Sequence, residues 1–116
     1  MKPTLLPALA LAGLVFAAGA GAAPRAENAQ ECGVAADMAI VARSLAEEAV
    51  QRPKAEAIMG RIYALAESAR ARELARDILD AAYRRDEKPG EEFAAELFST
   101  CMTTSGDMDQ VLGRRL

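Results

Sequence analysis

The chain contains no histidine. Serine and cysteine hydrolases need a base to activate the nucleophile, most often His. A structural zinc site needs four ligands, mostly Cys and His, and two cysteines leave it short, while di-iron bundles need Glu-x-x-His pairs. Without those partners, the one-turn spacing of Glu92 and Glu96 reads as a solvated helix face. Tryptophan is absent too, and aromatic residues make up only 4% of the 116 positions. The core must therefore be built from Leu, Ile, Val, Met and much Ala. No glycine-rich phosphate loop occurs. The stretch "SGDMD" offers Asp107 and Asp109 but lacks the remaining oxygen ligands of a calcium loop, so helix capping explains it. An enzyme is the least expected class, and the residues imply no metal or cofactor.

A basic surplus is also missing. The net charge is −3, and a mildly acidic domain lacks the basic face that nucleic acids select. Arg70, Arg72 and Arg76 form a local cluster, but Glu67, Glu73, Asp77 and Asp80 surround it, which reads as mixed surface charge. Met38, Met59, Met102 and Met108 fall mostly on apolar stripes. They read as core packing rather than as soft ligands for copper.

What is present begins with residues 1–23, "MKPTLLPALALAGLVFAAGAGAA". Lys2 is the single charge, an apolar run extends from about Leu5 to Ala18, and small residues follow. This is the pattern of a cleaved secretory signal peptide. Ala20-Gly21-Ala22 fits the small-x-small cleavage site, which places the cut after Ala22, with Ala23 opening the mature chain. The alternative, an uncleaved anchor, needs about 20 apolar residues, and this run is shorter. The Ala- and Arg-rich composition resembles that of GC-rich bacterial genomes, so the expected destination is the periplasm, with no membrane attachment after cleavage.

Two cysteines remain, Cys32 and Cys101, 69 positions apart. In a small exported chain such a pair reads first as a disulfide. A bond between two chains and a reactive thiol are the alternatives, but neither cysteine lies in a C-x-x-C motif. The staple suits a domain whose limited, Ala-rich core buries little area.

Helical periodicity runs through the mature chain. A first helix is expected from about Glu27 to the break at Pro53, with Val34, Met38, Val41, Leu45 and Ala49 as its inner stripe and Arg43 and Glu47 outside it. Gly33 sits near its start. A second runs from about Pro53 to Ala66, with Gly60 as the mark of a close helix crossing. Residues 53–85 form either one bent helix or two. A break near Ser68 is favoured, because an unbroken helix would be about 50 Å long. A third helix covers about Ala69–Arg85, with Leu74, Ala75, Ile78, Leu79, Ala81 and Ala82 inward and Asp80 placed to pair with Arg84. Pro89-Gly90 breaks the chain. A fourth helix over about Gly90–Thr104 places Phe93, Leu97 and Cys101 on one face, flanked by Phe98 and Met102. Gly106 is a stop signal, Asp107 caps a last turn, and Met108, Val111 and Leu112 fold back. The expected architecture is all-α: a compact bundle of about four helices plus a short C-terminal helical turn, stapled between its first and fourth helices. The expected organisation is a signal peptide over 1–22, a mobile segment over 23–29, one helical domain over 30–113 and a tail over 114–116.

The stretch "AAYRRDEKPGEEFAAELFSTCMTTSGDMDQVLG", with Phe93, Leu97, Cys101, Met102, Gly106, Met108 and Leu112, together with Cys32, resembles small exported helical proteins of proteobacteria of uncharacterised function. A looser resemblance, of architecture and compartment, is to the acid-activated periplasmic chaperones HdeA and HdeB. The functional expectation is a non-catalytic exported protein acting by binding another protein, in an envelope-stress or chaperone-like role, with a homodimer among the forms considered. The alternative is a small-ligand or metal carrier with an enclosed pocket lined by Met59, Tyr63 or Phe98.

Overall fold

A computed structural model of the chain describes residues 24–85 and 88–114. The expected leader over 1–22, its cleavage site at Ala22 and Ala23, and the last two tail residues lie outside these. Among the described residues the fold is all-helical: α1 (Ala29–Glu47), α2 (Arg52–Ile62), a 3-10 turn (Leu65–Glu67), α3 (Ala69–Arg84), α4 (Gly90–Thr103) and α5 (Asp109–Leu112). No helix among them is long and apolar enough to cross a membrane.

α1 starts where Asn28 supplies a cap. Its side chain accepts from the Glu31 N–H at 2.9 Å, and the Glu31 carboxylate accepts from the Glu27 N–H at 2.8 Å. The first bond satisfies a donor that the first turn leaves orphaned, and the second ties the residue before the cap to that turn. α1 is the central helix and packs against both α3 and α4. That double duty rotates its buried face away from the expected stripe. Ala35, Ala39 and Ala42 are fully buried between Cys32, Met38 and Leu45, whereas Val34 is exposed and Val41 half-buried. Small side chains let two helices approach α1 closely, and the larger residues are displaced to its edges. Ala49 does not extend the stripe: it lies outside the helix at φ 60°. There the Val50 N–H reaches back to the Leu45 carbonyl at 3.0 Å, a left-handed helix stop.

Arg43, expected on the outside, is 2% exposed. Its guanidinium donates to the carbonyls of Ala82 at 2.8 Å and Lys88 at 2.9 Å. It thus satisfies carbonyls at and beyond the end of α3 that have no intrahelical donor, and it ties the α3–α4 connection to α1.

α2 carries Pro53 in its first turn, where the missing N–H costs nothing. It ends at Ile62, four residues earlier than expected. Ala64 then adopts φ 52°, and the 3-10 turn buries Leu65. Ser68 caps α3 as expected, its hydroxyl accepting from the Ala71 N–H at 3.1 Å. All six inward residues named for α3 are buried. Asp80 pairs with Arg52 at 2.8 Å instead of Arg84, fastening α3 to α2. On α4, Phe93, Leu97 and Cys101 are fully buried.

Gly106 is more than a stop signal. Its φ is +93°, and a Cβ built on it would fall 1.9 Å from the Ala26 carbonyl oxygen. Only glycine fits beneath the N-terminal strand of chain that crosses it. The crossing chain belongs to the 23–29 segment expected to be mobile, and its described residues pack against the fold. Arg25 is 6% exposed and bonds to Asp77 at 2.9 Å, Asp109 at 2.8 Å and the Gly113 carbonyl at 2.8 Å. The N-terminal segment is thus pinned to α3 and α5. Asp107 accepts from the Asp109 N–H at 3.0 Å in the turn that leads into α5, but Met108, not Asp107, holds the cap position, and Met108, Val111 and Leu112 are buried.

Candidate functional site

Cys32 and Cys101 are bonded, with Cα atoms 5.7 Å apart, and both are buried. No free cysteine is present, so the interchain bond and the reactive thiol are both set aside. The bond joins the start of α1 to the end of α4. At the opposite end Gly90 packs against Arg43 and Ile40, where an added Cβ would lie 3.5 Å and 3.8 Å from them. The two helices therefore run antiparallel along one seam.

The outer side of that seam carries exposed apolar residues. α3 lies on one flank of α4, because the Arg85 guanidinium sits 5.9 Å from the Phe93 ring centroid and bonds to Glu96 at 3.1 Å. Phe98 and Met102 are one turn apart on the other flank, 40% and 46% exposed. On α1, Gly33, Ala36 and Ile40 fall within roughly 60° of one another at 100° per residue. They lie away from Glu31 and Met38, which face α3. Ile40 is 45% exposed, and nothing lies within 4 Å of where a Gly33 Cβ would be. Large side chains on α4 thus stand beside a bare hollow on α1. Sequence reading reached Phe98 and Met102 as flanking residues but passed over Ile40. The seven-residue spacing from Gly33 to Ile40 carried that signal.

The arginine cluster divides, with Arg70 apart from Arg72 and Arg76. Arg70 pairs with Glu31 at 3.1 Å and Glu27 at 3.6 Å. Arg72 donates to the carbonyls of Leu65 at 3.0 Å and Ala66 at 3.2 Å, closing the 3-10 turn. Glu96 serves Arg85 and Lys88. Met38, Met59 and Met108 are core residues, and Met102 is exposed. Among the described residues no group of three potential acidic or cysteine metal ligands is gathered.

Met59, Tyr63 and Phe98, the alternative lining residues of the expected pocket, lie in different places. The Tyr63 hydroxyl donates to Asp37, and burial, followed by that carboxylate, pushes the phenol far above its ordinary range. Phe98 belongs to the α1–α4 face. Met59 alone lines a cavity, an open cleft of about 290 Å³ in the corner between α2, the 3-10 turn and α3. Compared with protein-family models, with curated proteins and with solved structures, the chain matches none of them.

Proposed function

We propose that this chain is an exported, periplasmic helical protein that acts by binding another polypeptide rather than by catalysis. The observation that carries the reading is the α1–α4 face, where Ile40, Phe98 and Met102 stand exposed beside the Gly33 hollow. Aromatic and methionine side chains are favoured anchors at such contacts. A bare glycine on a helix lets a partner's backbone approach. Export is supported by the leader pattern of residues 1–22 and by the single buried disulfide, which persists in oxidising compartments. A second copy of the chain is one occupant of this face, and an envelope protein exposing an apolar helix is another.

The test is a photo-crosslinking residue placed at Phe98, and separately at the exposed Glu48 as control, in the exported protein. A discrete crosslinked product is expected at Phe98 alone, with its mass distinguishing a homodimer from a second protein. The substitution Ile40→Asp, made in the crosslinking variant, should abolish it. No product at Phe98, with sedimentation as a monomer at millimolar concentration, would overturn the reading. Intact mass tests the compartment separately: the chain should begin at Ala23.

A further inference from the structure

We propose that the cleft at the α2–α3 corner binds a single-chain aliphatic monoanion, of which a medium-chain carboxylate is the simplest form. The floor of the cleft is apolar and made by three elements: Met59 from α2, Leu65 from the 3-10 turn, and Ala75 and Leu79 from α3, each 7% exposed or less. Its rim is cationic. Arg72 and Arg76 stand one turn apart on α3 and both line the opening. Arg72 is held in place by its bonds to the Leu65 and Ala66 carbonyls. One carboxylate, Glu56, shares the rim, and it is ion-paired with Arg52 at 3.3 Å. An apolar slot below two guanidinium groups complements a ligand with a hydrocarbon tail and one anionic head.

Gly60 gives a second, independent pointer. It lies in the last turn of α2, where glycine is a poorer helix former than alanine. Nothing in the fold asks for it. It does not adopt the left-handed conformation, and no atom lies within 4 Å of a Cβ built there. Yet it lines the cleft. A backbone left bare beside an open apolar slot is what close approach of a ligand requires. The volume is small, at the lower end for ligand sites, which favours one chain over two and excludes a phospholipid's paired tails. This inference concerns a different surface from the polypeptide-binding face and stands apart from it.

The experiment titrates the mature, disulfide-bonded chain with decanoate below its micellar concentration, following amide shifts by NMR, with decanol as the uncharged probe. Saturable shifts are expected at Met59, Gly60 and Leu79, with decanol at least tenfold weaker. Arg76→Gln should weaken decanoate roughly tenfold, the scale of one charge-assisted bond. Gly60→Leu should fill the slot and abolish binding while the protein melts as before. Gly60→Ala serves as a folding control and should melt no lower than the parent. Phe98→Asp should leave decanoate binding intact, which separates the cleft from adsorption on the α1–α4 face. The proposal is overturned by equal affinity for decanol, by binding that survives Gly60→Leu, or by no saturable shift.

Discussion

The two sides of α1 are built differently. Toward α4 the seam is closed at one end by the disulfide and at the other by the Gly90 contact with Arg43, and α4 buries Phe93, Ala94, Leu97 and Cys101 along it. Toward α2 the packing is thin. That helix buries only Ala55 and Met59. It is fastened by polar contacts at its start, where Tyr83 donates to the Val50 carbonyl and Arg52 reaches Asp80 and the Tyr83 ring. One side thus has a covalent staple and a continuous inner face, and the other a corner with a cleft. A rigid seam displays an apolar surface at fixed geometry, while a thinly packed corner retains the open volume a ligand can enter. The predictions below set these two sides against each other.

The largest effect should come from breaking the staple. A bond spanning 69 residues stabilises by roughly 4 kcal/mol through the unfolded chain's lost freedom. That is a large part of the ~5–15 kcal/mol typical of a domain. Replacing Cys32 and Cys101 together by Ala should lower the melting temperature steeply, measured by circular dichroism. If the paired variant melts within a few degrees of the parent, packing along the seam, not the disulfide, holds α1 to α4.

A smaller contrast separates Leu97→Ala from Met59→Ala. Both side chains are fully buried. Leu97 lies on the inner face of α4, where truncation leaves a closed void, so a loss of about 3–4 kcal/mol is expected. Met59 floors the cleft, so its removal enlarges a space already open to water, and the loss should be nearer 2 kcal/mol. Urea unfolding of the two variants measures the difference. Equal losses would mean that the corner is packed as tightly as the seam.

Which of these features the sequence disclosed follows from their physics. Local signals were legible. Ser68 as a cap, Pro53 as a first-turn residue, the inner face of α3 and the shared face of Phe93, Leu97 and Cys101 all depend on a few consecutive residues. The cysteine pair was legible by arithmetic, since one intrachain pairing exists. Tertiary roles were not. Arg43 looked like a surface residue because its carbonyl partners, on Ala82 and Lys88, lie 39 and 45 positions away. Arg25 looked like part of a loose start because Asp77 and Asp109 reach it from other elements. The register of α1 misled because a helix packed on two sides buries its small residues centrally, and a stripe weighted toward large side chains follows its edge. Gly60 was expected to mark a close helix crossing, yet nothing lies within 4 Å of a Cβ built there or at Gly33, and empty space around a Cβ leaves no trace in a helical pattern.

The smallest predicted effect lies at the start of α1 and depends on pH. The Arg70 hydrogen bond, aided by the Glu27 N–H and the Arg70 charge and opposed by partial burial, holds the Glu31 carboxyl below the usual glutamate range. The charged groups around it are Arg70 from α3 and Glu27 from the N-terminal segment. A carboxyl more acidic in the folded than in the unfolded chain stabilises the fold when ionised. That contribution is complete above the ordinary value of about 4.3 and disappears as the pH falls through the lower folded value. Glu31→Gln keeps an acceptor for the Glu27 N–H but removes the charge. The pair is solvent-facing, so the difference at pH 7 should be below about 1 kcal/mol, and it should shrink steadily as urea unfolding is repeated at successively lower pH below about 4.3. A gap that persists at low pH would assign the stabilisation to the shape of the cap rather than to the charge tying α1 to α3.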